Sequence, residues 1–203
     1  MSQYSDKQYI ASDDSDRFYY SLFFKKGDKI LDIGCSTGNF IAQDAKNITG
    51  IDSDDDAIKI ARKRGFRVLR HDVRKKLPFK ECAIGNINCR HVLEHLEDPL
   101  SFIKDIFRVL KKSGRLVLIT DELTRHFWDD YSHKRPFTKK SMEQIAYDSG
   151  FRSYNVRYFP PRGVFGIGFL RRHKLVTASS AKMLYFFFGK LFKKGSLMLE
   201  AKK

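Results

Sequence analysis

The stretch K-I-L-D-I-G-C-S-T-G-N-F, Lys29 to Phe40, decides the fold. Lys29 to Ile33 is a short apolar run of strand type that enters the glycine-bearing turn G-C-S-T-G directly, and a helix is expected from Asn39. Outward from it the same alternation repeats. Asn47 to Asp52 reads as a second strand, followed by a helix with Ser53 as N-cap, acids in its first turn and Gly65 at its end. Phe66 to Arg70 reads as strand three and Ile84 to Cys89 as a weaker strand four. Pro99 to Leu110 carries a helical stripe of Phe102, Ile103, Ile106, Phe107 and Leu110, and Gly114 to Thr120 is strand five. Strands alternating with helices imply a parallel sheet covered on both faces.

The flanks complete this α/β architecture. Asp16 to Phe24 has the apolar density of a helix packed on a core, and Thr138 to Ser149 predicts one more helix, stopped by Gly150. Arg152 to Phe159 and Gly163 to Leu170 flank Pro160 and Pro161, so a terminal antiparallel hairpin is expected, and the last thirty residues read as a basic, aromatic helix. At 203 residues the chain fits a single domain over 1–203, with a helical cap over 1–28 and a core over 29–123.

Composition narrows the setting. Cys35, Cys82 and Cys89 form no C-x-x-C pair, which argues against a disulfide framework or a cysteine-rich zinc site and fits a reducing, cytoplasmic location. The polar, acidic start does not resemble a signal peptide, and the longest greasy run, Met183 to Phe188, is too short to span a bilayer. The net charge of +15 is uneven: residues 1–60 hold 7 basic and 11 acidic side chains, whereas residues 157–203 hold 11 basic and one acidic. Such a tail implies an anionic neighbour, for which nucleic acid such as RNA, an anionic membrane surface and a phosphorylated metabolite are the candidates, or a Lys-rich face that keeps the chain in solution.

Ligands of open parallel sheets bind beyond the carboxyl ends of the strands, and three such ends carry acids here, Asp32, Asp52 and Asp72. A dinucleotide site would need G-x-G-x-x-G, which G-C-S-T-G is not, and Asp32 would stand beside a pyrophosphate. A cofactor with positive charge and no phosphate explains the acid better.

These residues resemble the class I S-adenosylmethionine-dependent methyltransferases. I-L-D-I-G-C-S-T-G-N-F is similar to their first motif, G-I-D-S-D-D-D-A-I to the second, H-D-V-R-K-K-L-P-F to the third, N-C-R-H-V-L-E-H-L-E-D-P to the segment after strand four, and K-K-S-G-R-L-V-L-I-T to the approach to strand five. The resemblance spans about Lys29 to Phe151 and implies a seven-stranded, mostly parallel, doubly wound Rossmann-like sheet. It further implies S-adenosylmethionine as cofactor, S-adenosylhomocysteine as product, and no metal. Asp32 would hold the methionine ammonium, Gly34 and Gly38 would admit the cofactor, with Cys35 and Ser36 in the same turn. Asp52, with Ser53 beside it, would accept both ribose hydroxyls, and Asp72 would accept from the adenine amino group beside the Val73 backbone. Cys89 and Arg90 would contact the methionine end through backbone atoms. Two departures stand out. Ser36 replaces a common glycine, which suits a negative φ, and Gly85 replaces an acid that commonly opens strand four.

Residues 124–172 then form the acceptor-side insertion, last helix and hairpin, and 173–203 the basic tail. In Thr124 to Thr138, His126, Trp128, Tyr131 and Arg135 are the expected acceptor-binding side chains, with His133 or His91 as catalytic base. No D/N-P-P-Y/F tetrapeptide follows strand four, which argues against exocyclic-amine methylation of nucleic acid. The expected reaction is O-methylation of a small molecule or saccharide. RNA methylation along the basic tail is the second reading, and a non-catalytic cofactor-binding scaffold the third. His91, Glu94 and His95 spell the H-x-x-E-H of inverted zinc peptidases, but they follow a strand rather than lie on an established helix, so they are read as the rim of the methyl-transfer site. Whether the chain associates with itself is open.

Overall fold

A computed structural model describes residues 13–159, 180 and 196–203. Its elements are α1 (Asp13–Phe23), β1 (Ile30–Ile33), β2 (Ile48–Asp52), α2 (Asp55–Lys63), β3 (Val68–Arg70), β4 (Ile84–Arg90), α3 (Pro99–Val109), β5 (Leu110–Asp121), α4 (Lys139–Asp148), β6 (Ser153–Phe159) and β7 (Ser196–Lys202). The strands form one seven-stranded sheet in the order β3-β2-β1-β4-β5-β7-β6. The first five run parallel, while β7 lies antiparallel between β5 and β6.

The helix starts are written locally. Asp54 accepts from the backbone N–H groups of Asp56 and Ala57, and α2 has acids in its first turn and Arg62 and Lys63 in its last, matching the helix dipole. The expected cap Ser53 is therefore displaced by one residue, because the carboxylate at 54 reaches two amides. Asp98 caps α3 with Pro99 in its first turn, and Thr138 and Ser141 form a capping box on α4.

Packing divides around the sheet. On one face α3 buries Phe102, Ile103, Ile106 and Val109 with Met142, Ala146 and Phe151; on the other α1 places Tyr19, Tyr20 and Phe23 against Phe24, Phe40, Ile41, Ile58 and Ala61. Each such large apolar side chain contributes roughly 1.5–3 kcal/mol relative to exposure. Gly85 sits where the β4–β5 register shifts, so the position lacking an acid is a bulge.

Three expectations are corrected. The helix after the glycine turn is a single 3-10 turn, Ile41–Gln43, because β2 begins at Ile48 and leaves no length for more. The hairpin partner of β6 is β7, in register from Ser153 opposite Lys202 to Phe159 opposite Ser196, whereas Gly163 to Leu170 lies outside the described residues. Residues 196–202 are accordingly an interior strand next to the edge strand β6, rather than the end of a helix. Leu197, Met198, Leu199 and Ala201 are buried, and a strand covered on both faces reads as a continuous apolar run instead of an alternation. The remainder of the basic tail lies outside the described residues.

Candidate active site

The sheet order reverses between β1 and β4, and the crevice at that switch point is where an open α/β sheet takes its ligand. Beyond β1 the chain turns sharply through Gly34 (φ +71°), Ser36 (φ +47°) and Gly38 (φ +86°). A Cβ on Gly38 would stand 2.5 Å from Phe66, so that glycine serves the packing of the turn on its neighbours as well as its φ. Ser36 departs from the negative φ expected of it. The left-handed conformation aims its amide at Asp52 Oδ2 at 2.7 Å, while Asp52 Oδ1 accepts from Asp54 N at 2.9 Å. Both oxygens are thus fixed by backbone amides at the end of β2, and each retains a lone pair for a further donor. Ser53 beside it is exposed, and Cys35 is buried against Gly50 with its thiol held well above the ordinary range by burial.

Asp32 lies deeper. It is 3% exposed and accepts from Asn88 Nδ2 at 2.6 Å, and Asn88 Oδ1 in turn accepts from the Tyr19 hydroxyl at 2.8 Å. Burial drives the Asp32 carboxyl up to about 7 against the opposing pull of Arg90 and the Asn88 hydrogen bond. Arg90 donates to Asp16 at 2.7 Å and lies over the rings of Tyr19 and Phe40, 4.7 and 5.3 Å from their centroids. Helix α1 therefore closes the first strand's acid inside the domain, a role for Asp16, Tyr19 and Asn88 that the sequence pattern did not single out. The Arg90 side chain serves this closure, and Cys89 is fully buried in β4.

The third acid is differently employed. Asp72 takes three hydrogen bonds from the Arg74 guanidinium and a fourth from its backbone, which hold the carboxyl down at about 2. An adenine amino group would have to share it with Arg74. Val73 packs against the core beside it.

On the acceptor side β4 ends in His91 at φ +53°, whose amide donates to Ile119 O at 2.8 Å. Its Nδ1 stands 3.1 Å from Glu94 Oε1 and 3.2 Å from Asp121 Oδ1. Burial opposes the charge, but the bonds to Asp121 and Glu94 prevail and raise the imidazole to about 9. Such a shift favours the protonated ring, so His91 as a base would first have to give up that proton. Glu94 is fully buried and also accepts from the Thr120 hydroxyl at 2.9 Å. His133 lies close by: Lys134 N and Arg135 N both donate to Glu94 O, which pins its segment to the Leu93–His95 turn and sets the His95 and His133 rings 4.8 Å apart.

The remaining acceptor-side side chains point elsewhere: Arg135 joins this turn only through its backbone amide. His126 is exposed and paired with Asp129 at 3.0 Å and with Arg125. Trp128 is 59% exposed with one edge on Phe127, Tyr131 is 94% exposed, and the Arg135 side chain is exposed. Asp121, at the end of strand five, is the residue that sequence reasoning passed over, whereas Glu94 and His95 were already in the H-x-x-E-H motif.

The fold and its crevice define a class I, Rossmann-like methyltransferase architecture. Residues 31–118 match the family model described as a methyltransferase domain. That stretch is less than half of the chain, and the likeness of the whole described fold is to S-adenosylmethionine-dependent methyltransferases. It is 32% identical over 98 residues to a probable S-adenosylmethionine-dependent methyltransferase of Mycolicibacterium smegmatis, covering 46% of this chain and 38% of that one. It is 32% identical over 103 residues to the ubiquinone biosynthesis O-methyltransferase of Pseudomonas aeruginosa, covering 46% and 44%. The chain thus spans less than half the length of these curated relatives. Among solved structures, an S-adenosylmethionine-dependent methyltransferase from Archaeoglobus fulgidus superposes with a TM-score of 0.72 at 19% identity, covering 98% of this chain and 97% of that one.

Proposed function

We propose that this chain transfers the methyl group of S-adenosylmethionine to a hydroxyl of a small molecule or saccharide. The observation that carries the reading is the pair of acids at the switch point. Asp52 has both oxygens oriented by backbone amides, suited to two vicinal ribose hydroxyls, and Asp32 is a buried acid suited to an ammonium. The glycine turn between them gives the cofactor close backbone approach. Asp72, Val73 and the backbone of Cys89 and Arg90 complete the cradle proposed for it.

The transfer breaks the sulfur–methyl bond as the oxygen–methyl bond forms, and the hydroxyl proton leaves. Placement of the acceptor in line supplies much of the rate, and no covalent enzyme intermediate is needed. The direction toward oxygen is supported by the imidazole-lined rim of His95 and His133 and by the likeness to the O-methyltransferase of Pseudomonas aeruginosa. Exposed Trp128 and Tyr131 are offered as the surface that receives the acceptor. Among the described residues no helix is long and apolar enough to cross a membrane.

Thermal unfolding with and without S-adenosylhomocysteine tests the cofactor. At 100 times its dissociation constant the ligand adds about 2.7 kcal/mol, and an unmoved midpoint overturns the reading. Labelled methyl supplied with separate metabolite and RNA fractions then tests the acceptor. Label in small molecules is expected, nuclease-sensitive label would establish the RNA alternative, and cofactor binding without transfer to any fraction would mark a non-catalytic scaffold.

A further inference from the structure

The H-x-x-E-H motif does not make a helical zinc site, yet the fold brings its last two residues to a histidine almost forty positions away. We propose that Glu94, His95 and His133 bind a divalent transition-metal ion of the zinc type.

The three side chains offer ligand atoms within 4.8 Å of one another. Tetrahedral zinc with bonds of about 2.0–2.1 Å sets its ligands roughly 3.4 Å apart, so side-chain adjustment of about an ångström closes the set around an ion. Two imidazoles and one carboxylate are a zinc donor set, whereas magnesium and calcium prefer oxygen throughout.

Both imidazoles are also held as ligating histidines are held. His133 Nδ1 is 2.7 Å from Phe127 O, a carbonyl that can only accept, so Nδ1 bears the proton and the lone pair lies on Nε2. His95 Nδ1 is engaged with Ser132, 3.1 Å from its hydroxyl and 3.3 Å from its carbonyl, which leaves Nε2 for an ion. Glu94 is fully buried and oriented by the Thr120 hydroxyl. His133 Nε2 lies 4.0 Å from Asp121 Oδ2 and 3.9 Å from Asp130 Oδ2, beyond hydrogen-bond distance, so an ion there meets two further carboxylates. With Glu94 the group holds three carboxylates. His91 is left outside the set because its Nδ1 is committed to Glu94 and Asp121.

This inference goes beyond methyl transfer and does not depend on it. The experiment uses tag-free, full-length protein stripped with a chelator and dialysed. Calorimetric titration with Zn²⁺ and, separately, Mg²⁺ is paired with the visible spectrum of the Co²⁺ form. One Zn²⁺ per chain is expected, with a tetrahedral Co²⁺ spectrum and at least tenfold weaker Zn²⁺ binding in His133→Gln and in His95→Gln. His126→Gln, whose ring is exposed and paired elsewhere, retains wild-type binding. Circular dichroism verifies that each variant is folded, and if both glutamine variants unfold, the Co²⁺ spectrum of the wild type decides. No binding, unchanged binding in both folded variants, or a preference for Mg²⁺ overturns the proposal, and the cofactor titration is read independently of it.

Discussion

Replacing Asp32 with Asn removes a buried charge while keeping the shape and the oxygen that accepts from Asn88. The native carboxyl is raised from 3.8 to about 7, so between those values the folded chain binds a proton that the unfolded chain has released. Stability from this group therefore falls as pH rises, by roughly 2 kcal/mol between pH 5 and pH 7. By about pH 8 the loss is complete, because both states are then ionised. Any cost of seating an amide is independent of pH over this range and cancels in the comparison. Urea unfolding of cofactor-free wild type and Asp32→Asn at pH 5, 6, 7 and 8 should show the wild type losing about 2–3 kcal/mol more than the variant. The variant should also lose most of its stabilisation by S-adenosylhomocysteine, since the cofactor's ammonium no longer meets a carboxylate. Parallel pH profiles would refute the argument, because they would mean that the acid is not desolvated in the folded chain.

Three further outcomes follow from the geometry. Asp52→Ala should weaken S-adenosylmethionine binding at least about tenfold by calorimetry, since it removes a charge-assisted acceptor held by Ser36 and Asp54, and wild-type affinity would dismiss the ribose assignment. Gly38→Ala should destabilise by about 1–3 kcal/mol in urea, because its Cβ meets Phe66 at 2.5 Å at a φ of +86°; a neutral effect would mean that the turn relaxes freely. Leu199→Ala should cost about 2–5 kcal/mol, because Leu199 is fully buried in β7. A loss below 1 kcal/mol would argue that β7 is not a core strand.

Much of the site was legible because its signals are local. The glycine turn and the acids closing β1 and β2 each depend on residues a few positions apart. The misreadings have equally specific causes. Ser36 was expected at a negative φ because a side chain disfavours the left-handed region, but the hydrogen bond to Asp52 offsets that strain. Asp121 was missed as a partner of His91 because it stands thirty positions away, outside the motif.

The sequence by itself determined the alternation of strands and helices, the turn chemistry and which acids stand at the strand ends. Hydrophobic period, capping and backbone conformation are short-range effects. Only the tertiary structure decided that Ser196–Lys202 inserts between β5 and β6, that Tyr19 and Asn88 enclose Asp32, and that His133 comes to rest beside Glu94 and His95. Each of those outcomes joins residues far apart in the chain, whose proximity depends on the burial of both sheet faces together and is encoded in no one segment.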